Sequence, residues 1–296
     1  MSSSLEGAFP ALVTPLRADG RIDLDAFRRS VVRAEEAGAA GVVVCGSTGE
    51  GPSVSPTDRD RMVRAAVEET GSDRVLAGVT GLRVDDLHRG VEAVAACGAA
   101  AALVTAPYYF PLSPQEQVQV HTEVATRAAV PTVVYHIPHM TGSELTVDAV
   151  TELAGVEGIL GIKDSSGDVD RLRRFVAATA THRFGVFQGN GPGVLDALIA
   201  GAAGSITAIG NLRLLTVVAI HAAVAAGDLD HARVLQAELT SLSRILADAP
   251  GPLAVTVKAL MEVEGLLDRR DTLPPLLRLD SAALASLRDA AAASGA

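Results

Sequence analysis

The residues that could do chemistry stand at the ends of short apolar runs. In Gly158-Ile159-Leu160-Gly161-Ile162-Lys163-Asp164-Ser165-Ser166-Gly167, a run bounded by glycines reads as a buried parallel strand that ends on lysine. Alternation puts Lys163 on one face with Gly161, and Leu160 with Ile162 on the other. If that second face packs on helices, the ammonium points inward, loses hydration and yields some neutral amine able to attack a carbonyl carbon. A lysine bent to solvent or paired with a carboxylate is the competing reading of the strand alone. A second run leads into Gly46-Ser47-Thr48-Gly49-Glu50, where two hydroxyls and backbone N–H groups between glycines make a cradle for a carboxylate. Phosphate is the rival anion, but the Walker lysine is missing.

All 3 tyrosines follow two further runs, in Pro107-Tyr108-Tyr109-Phe110 and Val134-Tyr135-His136-Ile137. A phenol held in a hydrogen-bond chain can relay protons. His136 alternates away from Tyr135, which favours a hydrogen-bonded structural histidine over a catalyst. Asp164 alternates away from Lys163 in the same manner, towards a supporting or capping role, whereas Ser165 returns to the lysine's face. Cys45, just before the cradle, reads as a buried inert thiol.

The elements that must position these groups alternate regularly. Strands are expected at residues 9–14, 41–45, 75–79, 101–105, 132–137, 159–163, 184–188 and 204–208. Helices are expected between them at 25–37, 56–69, 84–96, 114–127, 147–153, 169–179 and 194–200, with the eighth at 212–226. Ser55-Pro56 and Ser113-Pro114 are helix-start signals, and Gly38, Gly71, Gly98 and Gly201 are stop signals. The pattern predicts an α/β fold: a (β/α)8 TIM barrel over residues 1–226, with an appended C-terminal helical region over 227–296. A doubly wound open sheet is the runner-up, weakened because no Gly-x-Gly-x-x-Gly follows the first strand. In a barrel the strand ends converge on one face, so the cradle, the tyrosines and the lysine would meet there.

Composition narrows the partners. With 48% hydrophobic and 20% charged residues, a large core is affordable and global disorder is excluded. A formal net charge of -10 argues against nucleic acid and basic membrane anchoring, leaving a small-molecule partner. No secretory signal opens the chain and no apolar run is long enough for a membrane span. Two cysteines make neither a disulfide framework nor a cysteine zinc site, and the scattered acidic residues imply no metal. The expected setting is cytoplasmic.

At its chemical residues the chain resembles the dihydrodipicolinate synthase and N-acetylneuraminate lyase family, class I pyruvate-dependent aldolases built on a (β/α)8 barrel. The resemblance begins at Phe9-Pro10-Ala11-Leu12-Val13-Thr14-Pro15 and runs to the last helices. Gly46-Ser47-Thr48-Gly49-Glu50, Pro107-Tyr108-Tyr109, Tyr135-x-x-Pro138-x-x-Thr141-Gly142 and Gly161-Ile162-Lys163-Asp164 follow in the family's order. It implies that Lys163 forms a Schiff base, that Tyr135 transfers protons, and that Ser47 and Thr48 hold the pyruvyl carboxylate. Tyr109 matches a tyrosine supplied across a subunit interface, which implies a homo-oligomer, dimer or tetramer. Ser165, Gly189, Ile206 and Met140 fall among the substrate contacts, and no cofactor is implied.

The expected reaction, on that resemblance, cleaves a 4-hydroxy-2-oxo acid into pyruvate and an aldehyde, or forms it. Met140 stands where synthases acting on aspartate semialdehyde carry arginine. Asn190-Gly191 and Ala208 stand where sialic-acid lyases carry an acidic pair and a serine. Dehydration of a 2-oxo-3-deoxy sugar acid and an atypical 4-hydroxy-tetrahydrodipicolinate synthase are the alternatives within this chemistry. A non-catalytic carboxylate-binding regulator is the alternative from another class.

Overall fold

The computed structural model describes residues 5–294. Its eight strands are β1 (Gly7–Pro10), β2 (Val42–Val44), β3 (Val75–Val79), β4 (Ala101–Thr105), β5 (Thr132–His136), β6 (Ile159–Asp164), β7 (Gly185–Gln188) and β8 (Gly204–Thr207). All pair in parallel, in the order β1-β8-β7-β6-β5-β4-β3-β2. Ala40 N donates to Ala8 O (2.9 Å) and Leu12 N to Val43 O (3.0 Å), which joins β1 back to β2 and closes the cylinder. The chain is a (β/α)8 barrel.

The helices start and stop where local chemistry directs. These are α1 (Leu24–Glu36), α2 (Pro56–Thr70), α3 (Val84–Ala96), α4 (Pro114–Arg127), a one-turn α5 (Pro138–Thr141), α6 (Val147–Ala154), α7 (Val169–Thr179), α8 (Val194–Ile199) and α9 (Gly210–Ala225). Ser113 accepts from Glu116 N while the Glu116 carboxylate accepts from Ser113 N, a reciprocal cap before Pro114. After α1 and α3 the chain turns through Gly38 and Gly98 at φ +82° and +88°, where a side chain would be strained. α5 has no counterpart in the apolar periodicity, being too short to show one. α9 starts at Gly210, earlier than the expected 212, and bends at Arg213 (φ −132°, ψ 47°).

Strand alternation separates two apolar populations. Phe9, Val43, Leu76, Leu103, Phe187 and Ile206 fill the barrel interior, with Phe9 and Phe187 edge to face at 6.1 Å. Burying a side chain such as Phe187 stabilises by roughly 1.5 to 3 kcal/mol. Val134, Ile162 and Val186 instead face outward onto Val150, Leu172 and Phe175 of α6 and α7. β6 departs from simple alternation. Its register against β5 slips between Thr132↔Ile159 and Val133↔Gly161, so Leu160 is an extra residue and packs against the interior cluster. Leu160 therefore does not share Ile162's face as expected; beyond the bulge the alternation resumes, with Ile162 outward and Lys163 inward.

Three more helices follow: α10 (Leu229–Asp248), α11 (Leu253–Val263) and α12 (Ser281–Ser294). They share one apolar cluster with α9 and with Ala8, Val13 and Ala208 of the barrel. Among the described residues no helix is long and apolar enough to cross a membrane.

Candidate active site

The register of β5 against β6 places Tyr135 opposite Lys163. Both are buried, Lys163 at 3% exposure, and the Lys163 Nζ lies 4.1 Å from the centroid of the Tyr135 ring. Among the described residues no carboxylate pairs with Lys163. The lysine thus sits against an aromatic face, neither solvated nor neutralised, where its amine can meet a carbonyl group. The Tyr135 hydroxyl lies 3.3 Å from Ser47 Oγ at the end of β2. Burial pushes the Tyr135 phenol up, but the Lys163 charge and the polar contacts of Ser47, Lys163 and Ser165 outweigh it and hold the phenol below its ordinary value. A phenol held lower in this manner gives and takes protons more readily near neutral pH.

The loop beside it is built as an anion nest. Among the described residues Cys45 and Glu50, at φ 55° and 56°, are the two non-glycine residues in the left-handed region, and they bracket residues 46–49. Glu50 N donates to Ser47 O (3.1 Å), Gly51 N to Gly46 O (3.0 Å), and Thr14 Oγ1, in the segment after β1, to Gly49 O (2.5 Å). Among the described residues the N–H groups of Ser47, Thr48 and Gly49 donate to no protein acceptor. Successive free amides with two hydroxyls suit a carboxylate. Burial pushes the adjacent Cys45 thiol up to about 12, in keeping with an inert role.

Behind Tyr135 and Lys163, Leu145 N donates to His136 Nε2 (3.2 Å), which leaves the proton on Nδ1 to bond Asp164 Oδ1 at 2.8 Å. Asp164 also accepts from Ser166 N and Ser166 Oγ, each at 3.0 Å. This outward-facing bond spans the same two strands as Tyr135 and Lys163, one residue further along each. Ser165 N donates to His136 O (2.8 Å), bringing Ser165 to the site. Gly189 N donates to Asp164 O (2.7 Å), and a Cβ on Gly189 would stand 2.0 Å from Ser165 Oγ, so β7 approaches this closely only through glycine.

Beyond Gly189, a cavity of about 310 Å³ is lined by Asn190, Gly191, Ala208, Ser243 and Leu253 among others. Ile206 is fully buried in the interior opposite Phe9. Met140, on α5, is 51% exposed and Tyr109 73% exposed, the latter edge to face with Phe110 at 5.0 Å. No hydrogen bond joins Tyr109 to Tyr135 or Ser47 among the described residues. Nor do three or more His, Cys, Asp or Glu residues among them converge as metal ligands.

Several supports escaped the sequence reading. Asn211 accepts from Val13 N (3.1 Å) and donates to Ala11 O (2.7 Å) and Ala208 O (2.8 Å), tying β1 to β8. Lys258, fully buried in α11, pairs with Glu50. The available signal was a lone lysine in the apolar run Ala254–Met261, which requires a buried partner.

A dihydrodipicolinate synthetase family model matches residues 4–294. The chain belongs to that family. Similar relatives include a 4-hydroxy-tetrahydrodipicolinate synthase of Methanosarcina barkeri, 32% identical over 269 residues, 91% of each chain. The dihydrodipicolinate synthase of Acinetobacter baumannii, solved with pyruvate, superimposes with a TM-score of 0.92 at 27% identity, covering 99% of both chains. YagE of E. coli K12, a prophage protein of the dihydrodipicolinic acid synthase family also solved with pyruvate, gives 0.92 at 26% identity with the same coverage. As a dihydrodipicolinate synthetase family member, the chain is a class I pyruvate-dependent, Schiff-base-forming carbon–carbon lyase.

Proposed function

We propose that the enzyme joins pyruvate to a short or partly apolar aldehyde, or releases pyruvate from the 4-hydroxy-2-oxo acid, with Lys163 as the imine-forming amine. One observation carries the reading. A buried Lys163 Nζ stands 4.1 Å over the Tyr135 ring, and that tyrosine's hydroxyl lies 3.3 Å from Ser47, beside the free amides of the cradle. The Ser47 and Thr48 groups hold the carboxylate, which sets C2 against Lys163. The amine adds to C2, water leaves, and the resulting iminium draws electrons from the C3–C4 bond. Tyr135 accepts the C4 hydroxyl proton as that bond breaks, releasing the aldehyde. The enamine takes a proton at C3, and hydrolysis frees pyruvate and Lys163. Ser165 and Ile206 border the pyruvyl end.

The cavity past Gly189 is the place for the aldehyde. Gly191 and Ala208 offer it no side-chain donor, so among the lining side chains only Asn190 and Ser243 can meet a polyol's hydroxyls, and each hydroxyl buried without a partner costs about 1 to 3 kcal/mol. Met140 brings no charge for a second carboxylate. The name of the Methanosarcina relative favours a second reading, condensation with aspartate semialdehyde. Assaying pyruvate with a panel of aldehydes separates the two. Uncharged short aldehydes should turn over faster, and Met140→Arg should raise activity towards aldehydes bearing a carboxylate. Faster turnover of aspartate semialdehyde by the unaltered enzyme would favour the second reading. The exposed Tyr109 and Phe110 support a homo-oligomer in which Tyr109 completes a neighbour's site. A fully active monomer at assay concentration would contradict that role.

A further inference from the structure

The cradle's last residue turns its side chain away from the substrate groups. The Glu50 carboxylate is buried; its Oε1 forms an ion pair with Lys258 Nζ of α11, and its Oε2 accepts from Leu273 N at 2.5 Å. Lys258 Nζ also donates to Asp271 O at 2.7 Å. Burial pushes the Lys258 ammonium down, and Glu50 acts against that push. The two charges therefore depend on each other, across a separation of more than two hundred residues. At the same residue the backbone is held left-handed, at φ 56°. Gly51, next in the chain, passes so close to Cys45 that a Cβ would stand 2.0 Å from Cys45 O. A side-chain anchor at Glu50 is thus coupled through a tight, strained turn to the amides of Ser47, Thr48 and Gly49.

Building on the carboxylate reading of the cradle given above, we propose that Glu50 and Lys258 are positioning residues. Together they clamp the cradle to α11 and the 271–273 segment and hold the Ser47 and Thr48 donors where the pyruvyl carboxylate needs them. Through this pair α11 and the 271–273 segment take part in holding pyruvate without touching it.

The test compares the parent with Lys258→Met and with Glu50→Leu/Lys258→Met. The single change strands a buried carboxylate and lowers stability; the double change replaces the pair with apolar groups of similar size, a swap that folded proteins often tolerate. In the double variant the urea midpoint should recover towards the parent's, while KM for pyruvate stays raised by roughly tenfold and kcat at saturating pyruvate stays within about threefold. A folded double variant with parental KM for pyruvate would overturn the proposal, since the pair would then be structural only. Hydrogen exchange on the unaltered enzyme needs no variant. Pyruvate should slow exchange both in residues 46–51 and in 258–273, and protection confined to the loop would count against the clamp. Borohydride trapping of pyruvate on Lys163 in the parent keeps the two readings apart. Its failure would remove the Schiff-base assignment, whereas trapping with an unchanged KM in the double variant would remove only the clamp.

Discussion

At the scale of single residues, the candidate site sets a phenol beside an amine whose charge helps to hold that phenol below its ordinary value. Tyr135→Phe keeps the ring under Lys163 but removes the hydroxyl that meets Ser47. Turnover should fall by about a hundredfold or more, while borohydride trapping of pyruvate persists. Equal loss of trapping and turnover would mean that Tyr135 only builds the pocket. These two residues were legible in the sequence because alternation is a local rule. Lys163 ends an apolar run, Tyr135 ends another, and each has a polar neighbour that must face the opposite way. Glu50 was visible as part of a loop motif, but its partner was not. Nothing local to Gly46-Ser47-Thr48-Gly49-Glu50 points to α11, because an ion pair between distant segments is set by tertiary packing alone.

At the scale of elements, the site exists because strand ends approach one another more closely than side chains normally allow. Gly189 is the clearest case: a Cβ would meet Ser165 Oγ at 2.0 Å and Asp164 O at 2.7 Å. Gly189→Ala should therefore destabilise the fold by roughly 1 to 3 kcal/mol and lower kcat/KM, because Ser165 or the end of β7 must shift. Urea denaturation and steady-state kinetics check both, and parental values in each would show that the strand end yields freely. The same scale explains the misplaced Leu160. A bulge is a relation between two strands, and only the pairing of β6 with β5 shows that the residue is extra. Strand order and helix starts were more legible, since Ser55-Pro56 and Ser113-Pro114 satisfy their caps within the segment.

At the scale of the whole molecule, packing of the helical shell makes stability depend on pH. His121 on α4 is 3% exposed, and burial, with His136 close by, pushes its imidazole down from 6.5 to about 4. The unfolded chain then binds this proton first. Stability is full above 6.5 and is lost as the pH falls towards 4, by at most about 3 kcal/mol from this group. Urea midpoints measured between pH 7 and 4.5 should fall less steeply for His121→Gln than for the parent, and equal slopes would contradict the assignment. The barrel as a whole was foreseeable from eight alternating runs, whereas the C-terminal helical region could be read only as an appendage, because its link to the cradle is a buried charge pair between distant segments. The central claim, that a barrel-interior lysine makes the covalent bond to pyruvate, is tested most directly by borohydride reduction in the presence of pyruvate, followed by peptide mass mapping. A single reduced pyruvyl adduct on Lys163, with matching loss of activity, is the expected result. An adduct on another residue, or activity that survives Lys163→Ala, would contradict the account.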